Sequence, residues 1–314
     1  MFYALIDENN EYLLTGSCRV LVLHQGDNYT KFGLCKNVNE IADSYMRAEF
    51  IRVVIIPNYI NIYMDDTEYV FIDEVILGEK YLLYDVKTIK KFNLIIDKEY
   101  ITNVCLKGHL EILKYLYMKN DHSINDLICN LICNREVLIC TFSDDYLKIL
   151  EWWKSSGIPL KYDEDAINLA SSFNRINVLN WWLKSGLPLK YDERAIDYSS
   201  MYGYVDVLEW WKNSGLPLKY SEDAINLASI YGNEDVLEWW KNSGLVLKYT
   251  EGSIDYACEY GSNYESLNGK IINILNWWFK SGLELKYSKK ALQYASKGKN
   301  INILEWLKNS KLPF

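Results

Sequence analysis

Adjacent carboxylates at Asp163-Glu164, Asp192-Glu193 and Glu222-Asp223 are the residues here that most resemble catalytic machinery. Two close carboxyl groups can divide general-acid and general-base work when their surroundings push their pKa values apart. Each pair, however, stands immediately before an apolar stretch with helical spacing. Negative charge at that point caps a helix and offsets its positive end, which is the plainer role for all three pairs. The histidines, His24, His109 and His122, have no nucleophile or carboxylate at a telling spacing. Cys129 and Cys133 would share one face of a helix, but zinc wants a CxxC-type pair or matching histidines, and His122 has no counterpart. The seven cysteines (18, 35, 105, 129, 133, 140 and 258) read better as buried, reduced thiols in a reducing compartment. Asn268-Gly269-Lys270 resembles part of a phosphate loop, yet Tyr264 stands where its first glycine belongs and Ile271 where Ser or Thr is required. No catalytic residue, metal ligand or cofactor follows from these patterns.

The elements that carry these residues are repeated. LEWWKSSGIPLKY (150–162) returns as LNWWLKSGLPLKY, LEWWKNSGLPLKY, LEWWKNSGLVLKY and LNWWFKSGLELKY. The tryptophans are Trp152, Trp153, Trp181, Trp182, Trp210, Trp211, Trp239, Trp240, Trp277, Trp278 and Trp306. The first of each pair recurs at intervals of 29, 29, 29, 38 and 29 residues, the long interval holding a nine-residue insertion, SNYESLNGK, at 262–270. Degraded copies at 100–120 and 137–153 bring the number of units to about seven between residues 96 and 314. Fixed periods of this kind mark stacked units, each of which buries its apolar side only against its neighbours.

Each unit reads as two short antiparallel helices. In the unit beginning at Ser221, that residue is an N-cap, and Ala224, Ile225, Leu227 and Ala228 form an apolar stripe. Gly232 ends the first helix. Val236, Leu237, Trp239 and Trp240 line the second, and Gly244 supplies a left-handed cap. The tryptophans are expected to be packing residues between helix layers, because a joint must be alike at every interface. Asn168, Asp197, Asn226, Asp255 and Gln293 are expected to form a hydrogen-bonded ladder between units. Tyr162, Tyr191, Tyr220, Tyr249 and Tyr287 are expected to brace the connecting loop.

Variable columns point to a binding face. Ser172, Met201, Ile230 and Glu259 change from hydroxyl to thioether to aliphatic to carboxylate, as solvent- or partner-facing positions do. Phe173, Tyr202, Tyr231 and Tyr260 beside them stay aromatic, either as an exposed ladder or as packing at the helix end. Together these eight residues are the candidate binding site.

The unit resembles an ankyrin repeat. Asp223-Ala224-Ile225-Asn226-Leu227-Ala228-Ser229 lies where the family has its TPLHxAA helix, Gly232 and Gly244 keep the twelve-residue glycine separation, and Gly108-His109 retains the G-H pair. The period is shorter, 29 residues against about 33. The missing residues fall where the family projects a β-hairpin finger, so a short extended loop is expected instead. The Trp-rich unit, and the segment FIRVVIIP…IDEVILGEKYLLYDVKTIKK ahead of it, resemble ankyrin repeat proteins of mimivirus-like giant DNA viruses. That resemblance implies a mainly α, ankyrin-like helix-pair solenoid at 96–314. It also implies an intracellular protein of the host cytoplasm or virus factory, packaged in virions or not, that binds another protein. A virion structural role and a ubiquitin-ligase adaptor role are the alternatives, although no F-box-like appendage is visible.

Residues 1–95 lack the repeat. FYALI, RVLVLH, EFIRVVIIP, INIYM and YVFIDEVIL read as strands, and 37–46 and 85–92 as helices, giving a small α+β domain of unassigned role. An enzyme is least expected but would have to reside there. A net charge of −8 argues against nucleic-acid binding, which needs a basic surface. No secretory signal or membrane-spanning run is visible, so neither secretion nor a membrane partner is expected. The chain is expected to be a monomer or weakly self-associating.

Overall fold

Alternation of side chains along Phe50–Ile55 puts Ile51 and Val53 on one face, and both are buried. The computed structural model describes residues 2–6, 19–25, 28–34, 49–55, 63–64, 70–72, 76–131, 137, 145–158, 161–264 and 268–310. Among them the chain is mainly helical and divides into two compact units, Met1–Lys161 and Tyr162–Phe314. The boundary expected near residue 95 falls inside the first unit.

The first unit begins with strands β1 (Phe2–Ile6), β2 (Arg19–Gln25), β3 (Asn28–Leu34), β4 (Phe50–Ile55), β5 (Tyr63–Met64), β6 (Val70–Ile72) and β7 (Ile76–Leu82). One sheet has the order β1-β4-β7, antiparallel throughout, with Ala4 opposite Arg52 and Ile51 opposite Tyr81. The other has the order β3-β2-β6-β5, in which β2 and β6 run parallel. β3 has no counterpart in the expected strands; the Gly26-Asp27 pair between β2 and β3 is the turn signal that marks it. YVFIDEVIL divides into β6 and the start of β7, and the helix expected at 37–46 lies outside the described residues.

Helices follow: α1 (Val86–Phe92), α2 (Lys98–Leu106), α3 (Leu110–Met118), α4 (His122–Leu131) and α5 (Asp145–Ser155). Asp85 and Asp97 start α1 and α2 by accepting hydrogen bonds from the Lys87 and Tyr100 amides. Tyr100, Ile101, Val104 and Cys105 on α2, with Ile112, Leu113 and Leu116 on α3, form the buried seam.

In the second unit the helices come in pairs: α6 (Asp165–Ser172) and α7 (Ile176–Ser185), α8 (Arg194–Met201) and α9 (Val205–Asn213), α10 (Asp223–Ile230) and α11 (Glu234–Asn242), α12 (Gly252–Asn263) and α13 (Asn268–Lys280), α14 (Lys289–Lys297) and α15 (Ile301–Asn309). The first helices pack on one another in chain order, α6 on α8, α8 on α10, α10 on α12 and α12 on α14. Alanines at 166, 195, 224, 257 and 291 are buried along this row, where a small side chain lets helices approach closely. Gly203 and Gly232 turn the chain between paired helices at φ of 83° and 78°, a region costly for residues with a Cβ. The insertion at 262–270 lengthens both helices of its pair rather than forming only a loop: α12 runs on through Asn263, and α13 begins at Asn268. Gly261 therefore lies inside a helix, where a Cβ would come within 2.9 Å of Ile271.

No helix among the described residues is long and apolar enough to cross a membrane.

Candidate functional site

The tryptophan columns have two different fates. The second indole of each pair, at Trp153, Trp182, Trp211, Trp240 and Trp278, is at most 1% exposed. Such a side chain removes roughly 200 Å² from water, worth about 5 kcal/mol before entropy costs. Trp211, Trp240 and Trp278 donate their ring N–H to Ser171, Ser200 and Ser229 of earlier helices, at 3.0, 3.1 and 3.0 Å. The Trp182 N–H makes no hydrogen bond among the described residues.

The first indole lies at the edge of the helix face. Trp181 is buried, while Trp152, Trp210, Trp239, Trp277 and Trp306 are half-buried. Trp210 and Trp306 donate to Asn180 and Asn276, and Trp239 and Trp277 donate to Glu209 and Glu238, each at 2.9 Å. The acceptor is the residue preceding the tryptophan pair of the previous unit, so the Glu/Asn alternation in LEWW and LNWW retains one function, accepting this bond. Within each pair the rings meet edge to face, for example 5.1 Å apart at 88° for Trp210 and Trp211. Both columns are thus engaged in packing. In the irregular copies the second place is still the buried one: Leu116 follows half-buried Tyr115, and Leu307 follows Trp306.

The loop residues are engaged as well. Tyr162, Tyr191, Tyr220 and Tyr249 donate their hydroxyls to the carbonyls of Pro188, Pro217, Val246 and Glu284 in the next loop. Lys190, Lys219, Lys248 and Lys286 return a bond to the backbone carbonyls of those same tyrosines and lie over their rings. The polar column forms a ladder to the start of the following unit. Asn168 meets Asp192, Asp197 meets Ser221, Asn226 meets Thr250 and Asp255 meets Ser288. Partner chemistry follows the rung: the two aspartates face hydroxyl donors, whereas the asparagines donate their amides. Burial pushes the Asp197 carboxyl up to about 6 against the bonds from Ser221.

Of the adjacent carboxylates, Asp163 and Asp192 cap helices by accepting from the amides two residues on, and Ser221 does so for Asp223. Arg194 also holds Asp192, keeping that carboxyl below its ordinary value through a side-chain hydrogen bond, and reaches Asp165 at 2.8 Å. Burial raises the Cys105 and Cys258 thiols to about 12, so neither is a nucleophile near neutral pH. No cluster of three or more metal-ligating side chains occurs among the described residues. An open pocket of about 610 Å³ in the first unit is lined by Tyr84, Asp85, Lys107, His109, Glu111 and Lys148 among others. Its charges are largely engaged within the fold: Lys107 pairs with Glu49, Glu111 with Lys114, and Asp85 caps α1. His109 stacks on Tyr84 at 4.8 Å.

Tyr198, Tyr256, Val246, Phe279 and Ile301 are exposed singly or in pairs on the second unit, and an outward-facing aromatic row runs along the turn end of its helix pairs. Phe173, Tyr202 and Tyr231 are the residues at which α6, α8 and α10 stop, so their rings stand beyond the last helical turn. Phe173 and Tyr202 stack at 6.3 Å, Tyr202 and Tyr204 lie 6.1 Å apart, Tyr231 and Tyr260 4.9 Å, and Tyr260 and Tyr264 4.5 Å. Burial, together with the neighbouring phenols of Tyr260, Tyr202 and Tyr264, raises the Tyr231 hydroxyl's pKa. Tyr202 and Tyr264 are 49% and 51% exposed, and the other rings are half-exposed. Tyr204 and Tyr264 were not among the expected site residues. Tyr204 lies one residue after the Gly203 turn, where the other units carry Arg175 and Asn233, so column comparison could not select it.

Met201, Ile230 and Glu259 are half-exposed beside this row, as their variation implies. Ser172 departs from the expectation for a partner-facing residue. Its side chain is 2% exposed and donates to the Asn168 carbonyl at 2.7 Å, because a small hydroxyl satisfied within its own helix can be covered at no polar cost.

No known family's model matches this chain, and no curated protein matches it in sequence.

Proposed function

We propose that this protein is a non-catalytic protein–protein interaction scaffold, an ankyrin-like solenoid of helix pairs that docks a partner protein along its turn edge. The carrying observation is a division of labour. Tryptophans, loop tyrosines and lysines are occupied between units, whereas the row from Phe173 to Tyr264 is left half-exposed. Aromatic side chains with a polar tip anchor interfaces well, because they contribute large area for few rotatable bonds. A stable complex covers roughly 800 Å² on each partner, an area that three or four adjacent units could offer. The sequence resemblance to giant-virus ankyrin repeat proteins makes a host or viral protein the partner in this reading, inside the infected cell, with no cofactor, nucleic acid or membrane involved.

The test replaces Phe173, Tyr202, Tyr231 and Tyr260 with alanine and compares affinity capture from infected host cells with that of the wild-type chain. Loss of specific partners with helical circular dichroism unchanged supports the reading. Undiminished capture by the variant, or capture retained by the first compact unit, residues 1–161, alone, overturns it.

A further inference from the structure

The turn edge carries more than aromatic rings. α9 and α11 begin immediately after the turns that follow Tyr202 and Tyr231, and their first turns hold Asp206, Glu234 and Asp235, all exposed. Glu259 lies half-exposed beside Tyr260 on α12. None of these four carboxylates makes an ion pair or side-chain hydrogen bond among the described residues. Basic side chains also lie along this edge: Arg175 after Phe173, Lys270, whose Cβ lies against Gly232 next to Tyr231, and the exposed Lys297 and Lys299 at the turn between α14 and α15. The row is therefore a run of tyrosine faces bordered by four carboxylates that form no ion pair among the described residues, with Lys270 as the cation beside Tyr231.

We propose that this edge binds an arginine-bearing segment of the partner protein, an inference that rests on the scaffold reading above and names the chemistry of its ligand. A guanidinium satisfies both features of the surface. Its planar face is attracted to the negative face of a tyrosine ring, and its five N–H donors reach carboxylates at the rim. An acidic or phosphorylated segment would instead meet repulsion from four carboxylates. A purely apolar segment would leave their charge unused and would cover the clustered hydroxyls of Tyr202, Tyr231, Tyr260 and Tyr264 without offering them a hydrogen-bond partner. Four units supply rings in sequence, so an extended segment with arginines at intervals engages several at once, and the modest contribution of each exposed contact accumulates.

The experiment measures fluorescence anisotropy of a labelled peptide alternating arginine and serine, titrated with the full chain, against a matched glutamate–serine peptide. Binding of the arginine peptide and not of the glutamate peptide is expected. Tyr202→Ala/Tyr231→Ala/Tyr260→Ala should weaken it about tenfold or more, while the corresponding phenylalanine triple variant, which keeps the ring faces, should stay within about threefold. Glu234→Gln/Asp235→Asn should weaken it about threefold and lower its salt dependence. Should the alanine triple variant lose helicity, the exposed Glu234→Gln/Asp235→Asn variant carries the test alone. Equal binding of both peptides overturns the proposal, as does arginine-peptide binding that neither the aromatic nor the carboxylate variants change. If the arginine peptide fails to bind while the four-site alanine variant still loses its captured partner, the ligand chemistry is wrong and the scaffold reading stands.

Discussion

The loop edge and the turn edge of the helix pairs in the second unit are both rich in tyrosine, yet they are built by different rules. At the loop edge Tyr162, Tyr191 and Tyr220 each have the same partner in the next unit, a carbonyl 26 residues ahead, and Tyr249 has the equivalent one across the insertion. A lysine 28 residues on returns to each of the first three. Substitution there breaks a bond that all copies share, so the copies agree. At the turn edge the rings contact one another, and only part of the pattern repeats: Phe173 meets Tyr202 and Tyr231 meets Tyr260 at the repeat offset, whereas Tyr204 and Tyr264 are additions that other copies lack. The comparison teaches that identity between copies follows bonds made between units. Freedom between copies follows surface that other copies do not need.

The largest effect expected from breaking this comparison lies inside the stack. Trp211→Ala should cost about 3–5 kcal/mol, through the cavity and the lost bond to Ser171. Trp210→Ala, on a half-buried neighbour, should cost roughly half as much. Urea denaturation of the two variants measures the difference, and equal costs would mean that the two columns are not distinct.

Next comes the polar ladder. Asp197 has a folded-state pKa of about 6, above its ordinary 3.8. The folded state therefore prefers the protonated acid; the associated stability is fully present below about pH 4 and is lost as pH rises through 6. Asp197→Asn keeps an acceptor for the Ser221 amide and removes the buried charge. It should abolish this dependence and stabilise the protein at pH 7 by roughly 2–3 kcal/mol. Thermal unfolding of both proteins at pH 4 and pH 7 checks the sign; a variant less stable than wild type at pH 7 would contradict it.

The smallest expected effect compares the two edges directly. Tyr220→Phe removes the bond to the Val246 carbonyl and should cost about 1 kcal/mol, while Tyr231→Phe, at the turn edge, should change stability by less than about 0.5 kcal/mol. Chemical denaturation of this pair would weaken the contrast if the order were reversed.

Much of this architecture was legible in the sequence because translation by 29 residues constrains every contact at once. A residue that bonds forward must find its acceptor at the same offset in each copy, so the repeat itself marks the loop tyrosines and the Asn/Asp ladder as joints. The capping role of Asp163 and Asp192 was legible for a local reason, since it needs only the next two residues. The site was less so. Ser172 varies in its column like a surface residue, but it can be buried because its hydroxyl is satisfied within its own helix. Tyr204 and Tyr264 have no column to belong to, and β3 in the first unit escaped because its apolar pattern is weak.

By itself, the sequence determined the period, the helix pairs, their caps and which residues are shared joints, because these follow from local chemistry repeated along one chain. The tertiary structure alone decided which indole of each pair is enclosed and which tyrosines remain outside. Adjacent positions on a helix lie only about 100° apart, so both belong to the same apolar face in sequence. Where the neighbouring helix comes to rest across that face determines which one it covers.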